Sequence, residues 1–195
     1  MNMPLDTQPD IPDEALLVLY ANGDAAAARS LTLRMVPRVL SYATRMLSDR
    51  AEAEDVAQEA MLRLWRIAPD WRQGEAKVST WLYRVTTNLC TDRLRRRRRG
   101  VALDEAPETE DESPSVLADM MESDRMQALD AALARLPERQ RQAVILRHID
   151  GLANAQIGEI MGVRVEAVES LTARGKRGLA ALLAGRKAEL GYEDE

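Results

Sequence analysis

The sequence predicts an all-α protein composed of two small helical domains. Apolar residues make up 46% of the 195-residue chain, whereas aromatic residues make up only 4%, with no Phe. Runs of β-branched and aromatic residues with period-two alternation, the usual signal of strands, are absent. The core must therefore come from Leu, Val, Ile, Met and Ala, which favours helices. A chain of this length can form one compact domain or two small ones, and we expect two.

Four helices are predicted in the first half of the chain. A short helix starts at Asp13, and two longer helices cover residues 25–47 and 51–67. Pro37 lies inside the second helix, where a proline removes one hydrogen bond and clashes with the preceding turn, so we expect a bend or a break. A loop over residues 68–78 then leads into an amphipathic helix that ends in an arginine run.

This fourth helix carries residues suited to nucleic acid. At helical spacing, Leu82, Val85 and Leu89 form an apolar stripe. The opposite side presents polar residues at three- or four-residue steps: Arg84, Asn88, Thr91, Arg95 and Arg99. Guanidinium groups pair with phosphates, and an amide can read a base edge. This polar side therefore indicates nucleic-acid binding, with a nonspecific polyanion-binding tail as the alternative for the arginine run.

Charge is distributed unevenly along the chain. The net charge of −5 argues against a nucleic-acid binder, but six arginines lie within residues 93–99. Residues 101–124 contain nine Asp or Glu residues and no Lys or Arg. Residues 100–115 hold too few apolar side chains to pack, so we predict a flexible acidic linker there. The helical domains on either side are predicted to cover residues 13–99 and 116–185.

The second domain is predicted to end in a helix-turn-helix. Pro137 suits the first position of a helix that runs to about residue 149. Two further helices, residues 154–161 and 165 to about 183, are separated by a turn that contains Gly162, which is the pattern of a helix-turn-helix. The last helix presents an outward face suited to the bases and phosphates of a major groove: Glu166, Ser170, Arg174 and Arg177. The alternative is the solvated face of an ordinary helical hairpin.

The composition disfavours several functional classes. The single cysteine, Cys90, excludes an internal disulfide and a cysteine-rich metal site, and the only histidine, His148, belongs to no catalytic motif. The sequence has no phosphate loop, metal-ligand cluster or catalytic triad, so we predict no enzyme, no cofactor and no metal. No uncharged apolar run approaches the roughly 20 residues of a membrane span. We therefore expect a cytoplasmic protein that is not inserted in a membrane.

The order and spacing of four motifs resemble those of the extracytoplasmic-function (ECF) sigma factors, compact two-domain initiation factors of bacterial RNA polymerase. The motifs are Ala53-Glu54-Asp55-Val56-Ala57-Gln58-Glu59 with Trp65, the segment from Gly74 to Arg84, Asn88 with Asp92-Arg93, and Leu136-Pro137-Glu138-Arg139-Gln140-Arg141. The resemblance implies a sigma factor that directs core RNA polymerase to a set of stress-type promoters and begins to melt them. The alternatives are a stand-alone helix-turn-helix regulator of transcription and a sigma-like interaction module.

The resemblance also implies three binding surfaces. In the family, the helix with the first motif docks on core polymerase, which here implies Asp55, Gln58, Glu59 and Leu62. The second motif and the helix after it act on the minus-ten promoter element, where the duplex opens: Trp71, Gln73, Lys77, Ser79, Thr80, Trp81, Arg84, Asn88 and Arg95. Trp71 and Trp81 are predicted either to stack on bases or to lie in the core. The helix-turn-helix reads the minus-thirty-five element as duplex through Glu166, Ser170, Arg174 and Arg177.

The implied partners are core RNA polymerase, promoter DNA in double-stranded and melted single-stranded form, and an anti-sigma factor. Many relatives carry basic residues early in the recognition helix, where this chain has Glu169, and often cap the preceding helix with Ser, where this chain has Ala153. Glu169 can accept a hydrogen bond from cytosine but also repels phosphates. Gly158, in the helix before the turn, costs about 1 kcal/mol relative to Ala, so this helix must rely on packing.

Overall fold

The computed structural model confirms the all-α prediction. It describes residues 11–72, 74, 76–101 and 117–184, with only the backbone given for residues 101 and 117–123. Within these ranges the chain forms helices and no strand: α1 (Asp13–Ala21), α2 (Ala25–Leu47), α3 (Arg50–Ile67), α4 (Val78–Val101), α5 (Leu117–Ala134), α6 (Glu138–Val144), α7 (Asn154–Met161) and α8 (Val165–Leu183). A 3₁₀ turn (Ala68–Asp70) follows α3, and a π-helical turn (Ile145–Ile149) continues α6.

Aspartate caps fix the starts of α2 and α3. The Asp24 carboxylate accepts hydrogen bonds from two backbone N–H groups in the first turn of α2, at 2.8 and 3.2 Å. Asp49 accepts one from the backbone N–H of Glu52 at 2.9 Å. As a result α3 begins at Arg50, one residue before the predicted start. Such caps satisfy N–H groups that have no partner within the helix.

Pro37 does not break α2. Of the two effects predicted for it, a bend or a break, the break is therefore wrong. The helix runs continuously through the proline from Ala25 to Leu47. A proline leaves the carbonyl group four residues earlier, here that of Leu33, without its helical N–H donor. Leu33 and Pro37 are both exposed, so water can hydrogen-bond to this carbonyl. The helix therefore tolerates the proline because it lies on the solvent side.

The first four helices enclose an apolar core. Its fully buried side chains come from each helix and include Leu16, Leu31, Leu64 and Leu82. The predicted stripe of α4 faces this core, with Val85 and Leu89 packed against it. On the same helix, the buried hydroxyl of Thr87 donates a hydrogen bond to the hydroxyl of Tyr42 in α2 at 2.9 Å. These contacts fix the rotation of α4 about its own axis.

The helix-turn-helix depends on close backbone packing at glycines. Gly162, at the end of α7, has φ +63°, a left-handed conformation that favours glycine. A Cβ on Gly158 would lie 2.8 Å from the carbonyl oxygen of Val163, which explains why a poor helix former occupies this position. A Cβ on Gly175 would lie 2.4 Å from a methyl group of Val144. The α8 helix therefore packs directly on α6.

The two halves of the described chain are in contact with each other. One apolar cluster includes Tyr42 and Tyr83 from the first half, and Leu133 and Ile145 from the second. The two tyrosine rings meet edge to face, with their centroids 5.7 Å apart. The predicted linker, residues 100–115, lies outside the described residues except for its first two, which extend α4.

Replacing Ala153 with Ser should stabilise the protein. The Gln156 side chain already accepts a hydrogen bond from the Ala153 N–H at 3.1 Å, but the alanine cannot return one to the first turn of α7. A serine hydroxyl would complete this capping box. We expect the free energy of unfolding to rise by about 1 kcal/mol and Tm by about 2–4 °C, measured by urea and thermal unfolding.

The matched control is Ala155→Ser, at an exposed position inside the same helix. Serine there gains no capping bond and lowers helix propensity, so stability should stay the same or fall slightly. An equal gain in both variants would contradict the capping explanation.

Candidate nucleic-acid interface

The polar side of α4 presents an exposed row of side chains. Arg84, Asn88 and Arg95 are all exposed, whereas Thr91, on the same side, is half-buried. The start of the helix is tied to α1, because the backbone N–H of Val78 donates to the Glu14 carboxylate at 2.9 Å. The exposed row on α4 therefore has a fixed orientation relative to α1.

The residues of the predicted minus-ten pocket differ in accessibility. Trp71 and Trp81 meet edge to face with ring centroids 6.2 Å apart, and both are half-buried against the core of the first half. The buried indole N–H of Trp71 has no hydrogen-bond partner. Of the neighbouring predicted residues, Lys77 is exposed, Ser79 is half-buried and Thr80 is buried. Gln73 lies outside the described residues.

The arginine run divides into residues with different contacts. The Arg97 guanidinium donates hydrogen bonds to the carboxylates of Asp49 and Glu52, at 2.9 and 3.2 Å, and to the carbonyl oxygen of Leu47 at 2.9 Å. These acceptors lie where α2 ends and α3 begins. Other arginines of the run are exposed: Arg95, Arg96, Arg98 and Arg99. The Arg97 guanidinium is therefore engaged within the protein, unlike its exposed neighbours Arg95 and Arg96.

The residues predicted to bind polymerase lie together on α3. Asp55, Gln58 and Leu62 are exposed, and Glu59 is partly exposed. All four line one groove with side chains of α4 that include Arg93, whose guanidinium lies 3.7 Å from the Asp55 carboxylate. A hydrogen bond from Arg63 lowers the pKa of Glu59. This face is therefore acidic and amide-bearing, with one apolar side chain in it.

A second groove, which sequence spacing did not reveal, lies between α2 and α3. Gln58 and Leu62 border it, and most of its lining is apolar: Val36, Leu40, Ala57, Met61 and Trp65. Leu62 is 41% exposed and thus contributes to both grooves. Residue spacing along a single helix does not reveal this partly open edge, because the edge depends on how α2 crosses α3.

The outward face of α8 is exposed at all four predicted positions: Glu166, Ser170, Arg174 and Arg177. The Arg174 Nε–H donates to the carbonyl oxygen of Ser170 at 3.2 Å. Glu169 accepts a hydrogen bond from the Asn154 side chain at 3.5 Å, so its carboxylate is partly engaged within the helix-turn-helix. The inward face is closed by Val168 and Thr172, which are buried.

The second half of the chain covers part of α4, which the sequence did not predict. The Glu138 carboxylate, at the start of α6, accepts hydrogen bonds from the Thr91 hydroxyl at 3.0 Å and the Arg98 guanidinium at 3.1 Å. The Gln142 amide donates to the Thr91 hydroxyl at 3.2 Å. Asn88 and Arg95 line the same groove between the halves. Periodicity within one helix carries no signal for such contacts between helices.

A buried carboxyl group also lies between the halves. Asp150, just after the π-helical turn, is hydrogen-bonded to the Tyr83 hydroxyl, and its Oδ2 is buried without a partner. Burial raises the pKa of Asp150 to about 6, and the positive charges of Arg45 and Arg38 only partly oppose this rise. Ionisation of this carboxylate near neutral pH therefore destabilises the folded chain.

Cys90 is a buried side chain in α4. Burial raises the pKa of its thiol to about 12, although the nearby charge of Arg93 acts in the opposite direction. A thiol that stays protonated reacts slowly with oxidants and alkylating reagents. Among the described residues, no group of three or more His, Cys, Asp or Glu side chains could hold a metal ion.

Two helical halves, one with an arginine-bearing helix beside two tryptophans and the other with a helix-turn-helix, define the class of DNA-binding transcription proteins. Residues 31–100 match the family Sigma-70 region 2, and residues 126–179 match Sigma-70, region 4. The two matches lie on either side of the acidic residues 101–124, so each match covers one helical half of the chain.

Individual relatives identify the family. The chain is 35% identical to the ECF RNA polymerase sigma factor SigE of Mycolicibacterium smegmatis, over 88% of this chain and 68% of that protein. It is 32% identical to the ECF sigma factor SigW of Bacillus subtilis, over 80% of this chain and 89% of that one. For the ECF sigma factor SigM of Mycobacterium tuberculosis, identity is 37% over 88% and 84%. The chain belongs to the ECF RNA polymerase sigma factors.

Solved structures share the fold. The sigma factor RpoE from Bartonella quintana, solved with the anti-sigma factor NepR, has a TM-score of 0.65 at 22% identity, over 80% of this chain and 96% of that one. CnrH, solved with the cytosolic domain of CnrY, has a TM-score of 0.66 at 23% identity, over 89% and 97%. In the part of the chain that the structure describes, no helix has the length and apolar character to cross a membrane.

Replacing Arg97 with Ala should destabilise the first half, because it removes the guanidinium that joins Asp49, Glu52 and the Leu47 carbonyl. These side chains are partly exposed, so we expect a modest loss of about 1 kcal/mol in the free energy of unfolding. Urea unfolding followed by circular dichroism measures it. Arg96→Ala, at the exposed neighbouring position, is the control and should change stability by less than about 0.5 kcal/mol. Equal losses in the two variants would show that Arg97 has no special role.

Replacing Asp150 with Asn should stabilise the protein more at pH 7.5 than at pH 5. The pKa of Asp150 is about 6 in the folded chain and near 4 in an unfolded one. As the pH falls through 6, the folded chain takes up a proton that the unfolded chain does not, so the wild type regains stability. We expect Asp150→Asn to gain about 1 kcal/mol at pH 7.5, after allowance for screening, and about half of that at pH 5, which lies midway between the two pKa values.

The same urea titrations at both pH values test this pH dependence. Asp70→Asn, which removes an exposed carboxylate, is the control for net charge and should have little effect at either pH. A gain in Asp150→Asn that did not depend on pH would contradict the burial explanation.

Proposed function

We propose that this ECF sigma factor directs core RNA polymerase to a set of stress-type promoters and begins to melt them. The exposed row of Arg84, Asn88 and Arg95 on α4, beside Trp71 and Trp81, carries the proposal. Guanidinium groups hold the phosphate backbone, an amide can contact a base edge, and aromatic rings can stack on bases. Side chains suited to phosphates, to base edges and to an unstacked strand thus lie close together on α4 and beside it.

Melting requires the protein to hold an unstacked strand. Opening a duplex costs a few kcal/mol per base step, and stacking on an aromatic ring returns about 1–3 kcal/mol per base. We assign this capture to the open sides of Trp71 and Trp81, with the remaining pocket formed by Gln73, Lys77, Ser79 and Thr80. Both tryptophans are only partly buried against the core, so each keeps an exposed surface on which a base can stack, which supports the assignment.

We assign polymerase docking to the α3 face formed by Asp55, Gln58, Glu59 and Leu62. A carboxylate and amide face suits a basic helical partner, and the adjoining apolar groove can receive that partner's apolar side chains. Glu59 and Arg63 already pair within α3 at 2.8 Å, so part of the acidic charge is internally compensated. Asp55 and Gln58 remain the more accessible groups.

We assign minus-thirty-five recognition to Glu166, Ser170, Arg174 and Arg177. Their exposure on α8, the second helix of a helix-turn-helix, supports a helix that enters the major groove of duplex DNA. In this proposal residues 13–99 bind core polymerase and the minus-ten element, residues 116–185 bind the minus-thirty-five element, and residues 100–115 act as a linker.

We propose an anti-sigma factor as a further partner that competes with polymerase. The solved complex of RpoE with NepR, a protein of the same fold with its anti-sigma factor, supports this proposal. Because promoter DNA and core polymerase are in the bacterial cytoplasm, we place the protein there.

Transcription with purified core polymerase tests the proposed function. Core enzyme with the full-length chain should start transcripts from a subset of a genomic promoter library, and core enzyme alone should not. Permanganate footprinting of the active promoters should show reactive thymines in the upstream part of the bubble only when the chain is present. If the chain bound duplex DNA tightly without polymerase and supported no transcript, a stand-alone regulator would be the better assignment.

Replacing Asn88 with Ala should change promoter preference rather than overall affinity. A lost base contact costs about 1–3 kcal/mol at one position of the site, so the ranking of promoters in the library should change. Replacing Arg95 with Gln should weaken transcription across promoters and reduce the salt slope of binding by about 1. The two variants sit on the same face of α4, and identical effects would contradict this division between base and phosphate contacts.

A further inference from the structure

We infer that Glu169 of α8 selects a cytosine in the duplex element that this helix reads, and that Asn154 of α7 is the positioning residue that directs its carboxylate. Selection of this kind rests on the proposed function of α8 as the reader of the minus-thirty-five element. It adds a base pair that the element must contain, a C·G pair whose cytosine faces α8, and the two side chains that select it.

Charged side chains are divided along α8. Its cations lie in the second half of the helix, at three exposed positions: Arg174, Lys176 and Arg177. Residues 165–173 contain no Lys or Arg, and Val165, at the first position, is 38% exposed. In a helix-turn-helix the N-terminal residues of the second helix contact base edges. The first half of α8 therefore suits the floor of the major groove, and the second half suits the phosphates.

The direction of Glu169 is fixed by the packing of its neighbours. Val168, the preceding residue, is fully buried, and Thr172, one turn later, is also buried. These contacts set the rotation of α8 about its axis, and the close approach of the two backbones at Gly175 and Val144 sets its depth. Glu169 is exposed beside this buried edge, on the side of the outward face that is nearest to α7.

Asn154, the first residue of α7, approaches this carboxylate. Its side-chain Nδ2 donates a hydrogen bond to Oε1 of Glu169 at 3.5 Å. The second carboxylate oxygen of the exposed Glu169 can accept from a base, and the Asn154 amide has a second N–H to donate. Because the first helix of a helix-turn-helix crosses the DNA backbone, this N–H can donate to a phosphate. Asn154 thus links phosphate to Glu169 and offsets their repulsion.

The donor and acceptor pattern of the major groove identifies cytosine as the base. A carboxylate only accepts hydrogen bonds, and cytosine presents a donor, its N4 amino group. Guanine presents the acceptors N7 and O6, and thymine presents the acceptor O4, so both repel a carboxylate. Adenine places its N7 acceptor beside its N6 donor and is the weaker of the two amino-bearing partners. Glu169 therefore favours cytosine and disfavours guanine most strongly.

Replacing Glu169 with Gln should move the preference from cytosine to adenine on the same strand, because a glutamine pairs with adenine N6 and N7. Two selections measure it: binding of the full-length chain to random duplexes, and transcription by core polymerase with the chain from promoters randomised in the upstream element. The wild type should favour cytosine at one position by about tenfold. In Glu169→Gln the other positions should keep their preferences.

The same selections test the positioning role of Asn154. Asn154→Asp keeps the size of the side chain and suits the first turn of a helix, but it cannot donate to Glu169. The cytosine preference should fall to about threefold at that one position, which a merely structural role would not produce. The matched control is Glu159→Gln, which removes an exposed carboxylate on the side of α7 near Lys77 and should leave every base preference unchanged.

The possible outcomes separate this inference from the proposed function. Transcription without a cytosine preference that depends on Glu169 would overturn the inference alone. Cytosine selection by binding, without any core-dependent transcript, would overturn the proposed function alone, and failure of both selections would overturn both. An unchanged preference in Asn154→Asp would remove the positioning role. If Glu169→Gln did not fold, as judged by circular dichroism, Glu169→Ala must lose the cytosine preference.

Discussion

The burial of one side of α4 is the constraint on which the rest of the structure depends. Leu82 is fully buried, and Thr87 is hydrogen-bonded to Tyr42 in α2. Near its other end, Arg97 is held by acceptors at the junction of α2 and α3. A helix fixed along one side and near its end cannot rotate, so its polar row faces one direction. The groove lined by Asp55, Gln58, Glu59 and Leu62 of α3 has side chains of α4 as its other wall. Its shape therefore depends on the same packing.

The halves meet through opposite charges, and this gives the net charge of −5 a physical meaning. Asp130 and Glu138 of the second half approach Arg45 and Arg98 of the first. Cations on the first half can thus be neutralised either by carboxylates of the same chain or by phosphates of DNA. In such a protein the overall charge says little about affinity for nucleic acid, because the local distribution of charges decides it.

Helix positions were largely predictable from the sequence, whereas contacts between helices were not. Both helices of the helix-turn-helix begin and end within about a residue of their predicted limits, because Gly162 and the apolar spacing are local signals. The exposed row on α4 also follows from spacing within one helix. Arg97 and Glu138 could not be assigned in this way, since their partners lie 40 or more residues away in sequence. Likewise Gly158 is explained only by the backbone of Val163.

In the proposed role of α8 as a promoter-reading helix, its glycine contact with α6 limits how this protein can acquire a new promoter. At Gly175 any side chain would collide with Val144, so the depth and rotation of the recognition helix are set by its scaffold. New specificity must then arise by exchange of outward side chains on a fixed rod. A change of reading angle would need compensating changes in α6, the helix that also carries Glu138. The placement of α8 and the contact between the halves are therefore linked through one helix.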